Sequence, residues 1–215
     1  MNVYLISGLG ADGTVFQKLA FGQGIKVHYL DWIPPKTMEP LRDYALRMAE
    51  SIDQSSSYII VGLSFGGMLA TEMASILQPQ KTILISSISS ITELPWHFRL
   101  VGKMRVNRLL PAFRPHIGYR FITSIFGVES QEEASYFREL LKRSDPNFSK
   151  WAVDAILQWD RTERPSGVVR IHGGKDRVLP IGQRKVDYLI KDGGHFMIFN
   201  RADEISRILS EIGID

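Results

Sequence analysis

The sequence has no cysteine, and this absence excludes disulfide bonds, a thiolate metal site and a cysteine nucleophile. It also has no apolar run long enough to cross a bilayer as a helix, which takes about 20 residues. The longest apolar stretch, residues 58–70, is interrupted by Ser64 and three glycines. Residues 1–7 carry no basic leader before their short apolar run, unlike a signal peptide. These absences predict an unexported, cytoplasmic protein with no integral membrane segment.

A strong excess of one charge is missing as well. The net charge of +3 is too small to indicate a nucleic-acid partner, and no ligand cluster supports a metal, so neither nucleic acid nor a cofactor is expected. The positive charge is unevenly distributed, because residues 94–128 contain six Arg or Lys and no Asp or Glu. These six residues are Arg99, Lys103, Arg105, Arg108, Arg114 and Arg120.

The composition is that of one folded domain. The 215 residues are enough for one substantial core, and 44% apolar with 23% charged residues matches ordinary globular proteins. Strand-like and helix-like periodicities alternate, which predicts a three-layer α/β domain over residues 1–215 with a mainly parallel sheet. The predicted strands, about six, cover residues 3–7, 26–31, 58–63, 81–86, 168–172 and 186–190.

Helical patterns fill most intervals between these strands. Residues 41–52 and 66–77 are predicted helices, and a last helix is expected to begin after its cap residue Asn200. Residues 91–165 break the alternation, because they contain no convincing strand. An insertion that returns to the same sheet predicts a helical cap over the carboxyl ends of the strands. Its helical patterns lie around residues 99–110, 132–142 and 150–158.

The segment Gly62-Leu63-Ser64-Phe65-Gly66 fits the pattern G-x-S-x-G in a specific context. It follows the apolar strand 58–61 and leads directly into the helical stretch 67–73. A sharp strand-to-helix turn strains its central residue and leaves no room for side chains two positions away, and glycine at 62 and 66 removes that conflict. The turn exposes the Ser64 hydroxyl, and the helix directs its first amides toward it. The context predicts Ser64 as a nucleophile.

This turn and three further segments resemble the α/β-hydrolase family over nearly the whole chain. Gly173-Gly174-Lys175-Asp176 is similar to the family's strand–G-x-x-D turn, and Gly193-Gly194-His195 to its G-G-H turn. Ser7-Gly8-Leu9-Gly10 resembles its H-G-x-x oxyanion loop. The resemblance implies an α/β-hydrolase fold with the family's Ser, acid, His order, which makes Asp176 the acid and His195 the base. It also assigns the oxyanion hole to the backbone amides of Leu9 and Phe65.

The chain departs from the family pattern in three ways. Ser7 stands where the family often has a histidine that braces the oxyanion loop. The first predicted strand already leads into this loop, so the family's leading antiparallel strands are missing from the pattern. Finally, Asp176 and His195 are only 19 residues apart. Residues 178–185 leave no room for a crossover helix, so we expect an irregular loop there.

The other histidines and several carboxylates are further candidates for the base and the acid. His172 lies inside a strand, where a packed or supporting role is expected. His97 and His116 fall in the cap and suit a surface or substrate-contact role. Asp12 is expected to cap a short helix at residues 14–19. The sequence leaves His28 as an alternative base and Asp154 or Asp160 as an alternative acid.

These residue types together predict acyl transfer. A serine hydroxyl is a weak nucleophile, so it needs an imidazole to take its proton and a carboxylate to orient that imidazole. The predicted function is hydrolysis of a carboxylic ester or thioester of a small molecule through an acyl-enzyme at Ser64. A carbon–carbon or cyanohydrin lyase and a non-catalytic ligand receptor are alternatives on the same scaffold. The cap composition adds the hypothesis of an apolar acyl pocket with a positive rim, suited to an anionic or carrier-linked ester.

Overall fold

A computed structural model describes residues 1–105, 119–182 and 185–214. Within these residues six strands form one sheet in the order β2-β1-β3-β4-β5-β6. Every neighbouring pair is parallel, so the predicted α/β sheet is confirmed and contains no antiparallel pair in the described residues. The strands are β1 Asn2–Ile6, β2 Lys26–Tyr29, β3 Tyr58–Leu63, β4 Lys81–Ile85, β5 Val168–Gly173 and β6 Tyr188–Ile190.

Helices connect most of these strands and cover the sheet. Two short 3-10 helices, Gly13–Phe16 and Ile91–Glu93, follow β1 and β4. Asp12 caps the first of them by accepting from the Thr14 amide, as the sequence predicts. The α-helices are α1 Leu41–Ala49, α2 Phe65–Leu77, α3 Trp96–Met104, α4 Tyr119–Phe126, α5 Gln131–Arg143, α6 Pro146–Leu157, α7 Met197–Asn200 and α8 Ala202–Glu211.

The core consists of two apolar clusters on opposite faces of the sheet. Successive side chains of a strand point to opposite faces, so Tyr4 and Ile6 of β1 enter one cluster while Val3 and Leu5 enter the other. The first cluster packs against α1, α2 and α6, and the second against α5, α7 and α8. These two layers on one sheet complete the predicted three-layer arrangement.

The segment between β4 and β5 is helical in its described residues, but the helix limits differ from those predicted. Helix α3 begins at Trp96 and ends at Met104, short of the predicted limit at 110, because Arg105 has a left-handed backbone conformation; residues 106–110 lie outside the described residues. Helix α6 begins four residues before the predicted 150, because Asp145 caps it and Pro146 occupies its first turn, where proline is favourable. Helix α4 was not predicted, since its aromatic and β-branched residues favour a strand.

The predicted cap role of Asn200 is wrong. Arg201 is not helical, so it separates α7 from α8 and stands at the N-cap position of α8. The Asn200 side chain instead donates to the Gly127 carbonyl and the Glu133 carboxylate, both at 3.0 Å. Asn200 therefore ties the C-terminal helices to the turn between α4 and α5.

A buried acid on α2 holds the end of the segment between β4 and β5. The Glu72 carboxylate accepts from the Trp159 indole at 2.7 Å and from two nitrogens of Arg161 at 2.7 and 2.9 Å. The Arg161 carbonyl in turn accepts from the Ile91 amide at 2.8 Å, which joins the two ends of the segment. Because α2 begins next to Ser64, this network fixes the segment relative to the helix that follows Ser64.

We predict that Glu72→Ala lowers the free energy of unfolding by about 3 kcal/mol, because the buried partners of the carboxylate lose their acceptor. Urea unfolding followed by circular dichroism measures the change. Glu139→Ala is the control, since its pair with Lys142 is exposed and contributes little. Equal effects of the two substitutions would contradict a structural role for the buried network.

Candidate active site

The turn between β3 and α2 holds Ser64 in a strained backbone conformation. Ser64 has φ 50° and ψ −115°, a combination that L side chains rarely adopt and that costs about 1–3 kcal/mol. Surrounding hydrogen bonds maintain it: the Ser64 amide donates to the Ile85 carbonyl at 2.9 Å. The Ser64 carbonyl accepts from the Gly67 amide at 2.9 Å and from the Ser87 hydroxyl at 2.6 Å. Hydrogen bonds to β4 and to the loop that follows it therefore hold Ser64 in this strained conformation.

The two elbow glycines are required by close backbone contacts. A Cβ atom on Gly62 would overlap the backbone of Gly66 and Gly67, and one on Gly66 would overlap the carbonyls of Ile6 and Ser7. Any side chain at either position would force β1, β3 and α2 apart. The prediction that both positions need glycine agrees with these contacts.

Three predicted site residues form one hydrogen-bonded chain. His195 Nε2 lies 2.9 Å from Ser64 Oγ, and His195 Nδ1 lies 2.8 Å from Asp176 Oδ2. The carboxylate can only accept, so Nδ1 carries the hydrogen and Nε2 is free to accept from the Ser64 hydroxyl. His195 is 5% exposed and Asp176 4% exposed, so water has little access to the second hydrogen bond. The arrangement allows proton transfer from Ser64 to His195.

Backbone hydrogen bonds join the turns that carry Asp176 and His195. The Gly174 amide donates to the Ile190 carbonyl and the Lys175 amide to the Gly193 carbonyl, both at 2.9 Å. On its other side the His195 ring makes an edge contact with Phe126 at 5.1 Å between centroids. In the described residues the connection after Asp176 contains no helix or strand until β6, as predicted from its length.

The Asp176 carboxylate is held ionised by its neighbours. Oδ1 accepts from the Val178 amide at 2.9 Å and the Leu179 amide at 2.8 Å. Burial raises the pKa of Asp176, but the charge and hydrogen bond of His195 and the Leu179 amide lower it by more, so the pKa lies below its usual value. The carboxylate therefore stabilises the folded state at neutral pH, and this contribution is lost as the pH falls through the lowered pKa.

His172 lies behind this carboxylate rather than beside Ser64. It is fully buried in β5, and burial lowers the pKa of its imidazole, which keeps the ring neutral at neutral pH. Nε2 donates to the Leu179 carbonyl at 2.8 Å and lies 3.5 Å from Asp176 Oδ2. Nδ1 has no hydrogen-bond partner in the described part of the chain. The predicted supporting role of His172 fits this geometry, because it anchors the loop whose amides bind Asp176.

The described histidines and carboxylates that could have replaced His195 or Asp176 lie elsewhere in the fold. His28 is exposed on β2 with its Nε2 3.1 Å from Asn2 Oδ1, and His97 is exposed on α3. His116 falls outside the described residues. Asp154 is on α6, and Asp160 is exposed just beyond it. None of these described residues is hydrogen-bonded to Ser64 or His195.

The loop after β1 passes close to Ser64. A Cβ atom on Gly8 would lie 3.4 Å from the Ser64 Cβ, and Leu9 lines the same cavity as Ser64. At the position of the family's bracing histidine, the Ser7 hydroxyl donates to the Ala11 carbonyl at 3.0 Å and so stabilises the loop. Phe65 is the first residue of α2, so its amide has no intrahelical acceptor.

Ser64 opens into a cavity of about 440 Å³. Among its described lining residues, Ser64 and His195 have the only polar side chains. Leu94, Phe98 and Val101 line the cavity, in agreement with the expected apolar pocket. Most of the other apolar lining residues were not predicted from the sequence. For those on α5, the helical spacing of apolar residues in the sequence could have indicated a face that lines the cavity. The missed residues include Val15, Phe137, Leu140, Leu141, Val153, Ile156, Leu179 and Ile198.

Four of the six basic residues of the predicted positive rim are described, and none of these four lines the cavity. Arg99, Lys103, Arg105 and Arg120 are described and lie outside it. The other two, Arg108 and Arg114, fall in the undescribed range 106–118. In the described ranges no group of three or more His, Asp or Glu could hold a metal ion. No helix in those ranges has both the length and the apolar character needed to span a bilayer.

The model of the alpha/beta hydrolase family matches residues 3–208, and the chain belongs to this family. A lipase-esterase related protein from Clostridium acetobutylicum ATCC 824 is similar in structure, with 15% identity, a TM-score of 0.72 and coverage of 98% of this chain and 93% of that one. A thermophilic esterase from Thermogutta terrifontis has 17% identity, a TM-score of 0.67 and coverage of 99% and 89%.

An epoxide hydrolase from Bacillus megaterium is also similar, with 12% identity, a TM-score of 0.71 and coverage of 98% of this chain and 92% of that one. At these identities the likeness establishes the fold alone. No curated protein sequence matches the chain.

We predict that Ser64→Gly is about 1 kcal/mol more stable than Ser64→Ala, although both lack the hydroxyl. Glycine adopts the conformation of Ser64 without strain, whereas alanine keeps the Cβ that opposes it. Thermal and urea unfolding of the two variants measure the difference. The control pair is Ser210→Gly and Ser210→Ala at an exposed position of helix α8, where alanine should be the more stable by a similar amount. If the alanine variant were more stable than the glycine variant at position 64 as well as at position 210, strain at Ser64 would be contradicted.

We predict that His172→Leu loosens the loop around Asp176, because the Leu179 carbonyl loses its donor. Stability should fall by about 1–3 kcal/mol, and hydrogen exchange at the Val178 and Leu179 amides should accelerate. His172→Gln should retain more protection than His172→Asn, since the longer side chain brings its amide nitrogen to the position of Nε2. Equal protection in the Gln and Asn variants would show that the Nε2 donor is unimportant.

Proposed function

We propose that this protein is a serine hydrolase that cleaves a carboxylic ester or thioester of a small molecule, with Ser64 as nucleophile. The observation that carries the proposal is the chain of hydrogen bonds from Ser64 Oγ through His195 to Asp176, at 2.9 and 2.8 Å, at the wall of a cavity. Nucleophile and base are within hydrogen-bond reach, and a third group orients the base, which is the arrangement that activates a hydroxyl.

In the proposed reaction, Ser64 Oγ attacks the substrate carbonyl as its proton passes to His195 Nε2. The imidazolium then protonates the leaving alcohol or thiol, and an acyl-enzyme remains on Ser64. Water, deprotonated by the same nitrogen, attacks the acyl group and releases the acid. The Asp176 carboxylate keeps the imidazole in the required tautomer and stabilises its charged form during both steps.

We assign the oxyanion hole to the amides of Leu9 and Phe65. Both residues line the cavity beside Ser64, and the first turn of α2 directs the positive end of its dipole toward the developing charge. Each donor of this kind contributes about 2.7–4 kcal/mol of transition-state stabilisation. Only backbone groups are needed, so the side chains at these positions are free to line the cavity.

The cavity lining favours ester hydrolysis over a lyase or a receptor. Lyase chemistry on this fold needs polar groups beyond the triad, and the described lining has no polar side chain besides Ser64 and His195. A ligand receptor has no need for the Ser64–His195–Asp176 chain. We further propose that residues 91–165 act as the cap, because helices α3, α4, α5 and α6 all contribute residues to the cavity.

We predict that Ser64→Ala abolishes both ester hydrolysis and covalent labelling by a fluorophosphonate, because the hydroxyl is the acylated group. Asp176→Asn should lower kcat by a factor on the order of 10³–10⁴, since the amide stabilises the wrong imidazole tautomer. In the double variant, Asp176→Asn should lower kcat little further than Ser64→Ala does alone, because the two residues act as one unit. Hydrolysis of p-nitrophenyl esters and mass spectrometry of the labelled protein measure these changes.

Asp160→Asn is the matched control for the acid, because Asp160 is exposed and lies away from His195. It should leave turnover unchanged. If Asp160→Asn were the damaging substitution, or if folded Ser64→Ala retained full activity, the proposed roles would be rejected. A circular-dichroism melt of each variant separates loss of chemistry from loss of the fold.

A further inference from the structure

The residue that follows β4 has a strained backbone conformation, as Ser64 does. Ser86 has φ 48°, in the left-handed region that favours glycine, and it is buried. A residue other than glycine keeps such a conformation only where the surrounding structure imposes it, and such positions cluster at functional sites. The Ser86 amide donates to the Ile171 carbonyl at 3.1 Å, which holds this turn against β5. The strained turn sets the direction of the next residue, Ser87.

Ser87 directs its hydroxyl at the carbonyl of Ser64. The hydroxyl donates to this carbonyl at 2.6 Å, whereas the Ile88 carbonyl is 3.5 Å away. The side chain packs directly against Gly67, where a Cβ atom would overlap Ser87 Oγ and Cβ. Ser87 is 1% exposed, so water has little access to the hydrogen bond. The single hydroxyl hydrogen is therefore held on the Ser64 carbonyl.

The Ser64 carbonyl and the Phe65 amide belong to one peptide group. A trans peptide is planar, and its C=O and N–H bonds point in opposite directions, so a hydrogen bond that holds one end also orients the other. Two donors to the Ser64 carbonyl, the Gly67 amide at 2.9 Å and the Met68 amide at 3.3 Å, belong to α2 itself. The Ser87 hydroxyl comes from outside the helix, so it fixes the orientation of this peptide relative to the sheet.

Buried charges hold the backbone of Ser87 in place. The Ser87 carbonyl accepts from the Arg170 guanidinium at 3.3 Å, and the same guanidinium pairs with the Glu93 carboxylate at 2.7 Å. Arg170 is buried in β5. The Glu93 carboxylate also accepts from the Ser89 amide at 3.2 Å and from the Ser89 hydroxyl at 2.5 Å. An ion pair between β5 and the short helix after β4 therefore fixes the loop that carries Ser87.

We propose, resting on the proposed esterase function, that Ser87 is a positioning residue of the oxyanion hole. Through the Ser64 carbonyl, its hydroxyl orients the Phe65 amide toward the substrate oxygen. The same hydrogen bond polarises the peptide, which makes this amide a stronger donor. Ser87 does not line the cavity, so it acts on the reaction without touching the substrate. The strained turn at Ser86 places the hydroxyl where this role requires it.

Steady-state hydrolysis of p-nitrophenyl esters by Ser87→Ala tests this role. Loss of a whole oxyanion donor lowers kcat by about 10²–10³, so loss of its orientation should lower kcat by about ten- to a hundredfold. KM should stay within about twofold, because the interaction is made in the transition state. A fall in kcat below tenfold, or a rise in KM that accounts for the loss of kcat/KM, would overturn the inference.

The matched control is Ser90→Ala. Ser90 is a buried serine of the same loop, but its hydroxyl lies 2.6 Å from the Thr92 hydroxyl and not on the Ser64 carbonyl. This variant should leave kcat and KM unchanged. Equal losses of kcat in Ser87→Ala and Ser90→Ala would show that any lost hydroxyl in this loop has the same effect, which contradicts the proposal.

A second readout separates the Phe65 amide from the Ser64 hydroxyl. In an alkyl trifluoromethyl ketone, Ser64 Oγ bonds to the carbonyl carbon as the serine proton passes to His195, and the ketone oxygen becomes an oxyanion in the hole. In Ser87→Ala the pKa of this adduct oxygen, followed by fluorine NMR, should rise because its amide donor is misdirected. A lowered kcat with an unchanged pKa of the adduct would assign the effect to Ser64 alone and reject the inference.

Two further variants keep the outcomes distinct. Ser87→Thr keeps a hydroxyl and should retain most of kcat, whereas Ser87→Cys has only a weak thiol donor and should lose it. If Ser87→Ala does not fold, this pair decides, and equal kcat in the two variants would contradict the inference. If the unsubstituted protein shows neither hydrolysis nor a ketone adduct, the proposed function itself is rejected. Hydrolysis that is insensitive to Ser87 would reject this inference and leave the hydrolase proposal intact.

Discussion

Around Ser64 the backbones of β1, β3 and α2 approach so closely that side chains cannot fit between them, and the position of the Ser64 hydroxyl depends on that contact. Gly66 lies against the carbonyls of Ile6 and Ser7, and Gly62 against the backbone of Gly66. Ser64 itself has a conformation that local preference opposes, so it persists only because the surrounding hydrogen bonds over-determine it. The exposed hydroxyl is thus a consequence of packing in the sheet.

The other two groups reach Ser64 from the turns after β5 and β6, with β4 between these strands and β3. In a parallel sheet the carboxyl ends of the strands meet at one edge, which brings the turns after β3, β5 and β6 together. Backbone hydrogen bonds join the turn of Asp176 to the turn of His195 and so fix the positions of the two turns relative to each other. His172 anchors the same loop from within β5 through the Leu179 carbonyl, which extends the support of the carboxylate into the core.

The site combines a short polar chain with apolar surroundings. Strand alternation directs Leu63 to one face, while Phe65, at the start of α2, packs on the other, so the space above Ser64 is bounded by both core clusters. Exclusion of water from such a space strengthens the interactions among Ser64, His195 and Asp176. Among the described lining residues only Ser64 and His195 have polar side chains, and the others offer apolar contact.

The sequence by itself determined the alternation of strands and helices and the elbow around Ser64, because these depend on local periodicity and on a turn that demands glycine. Asp176 and His195 were assigned through the resemblance of their turns to those of the α/β-hydrolase family. Tertiary structure decided the rest. Helix α4 forms against its local β preference, and α6 extends to Pro146 through the Asp145 cap. Asn200 binds Gly127 and Glu133 instead of capping α8. The apolar lining of the cavity depends on contacts between residues far apart in the chain, which no local pattern encodes.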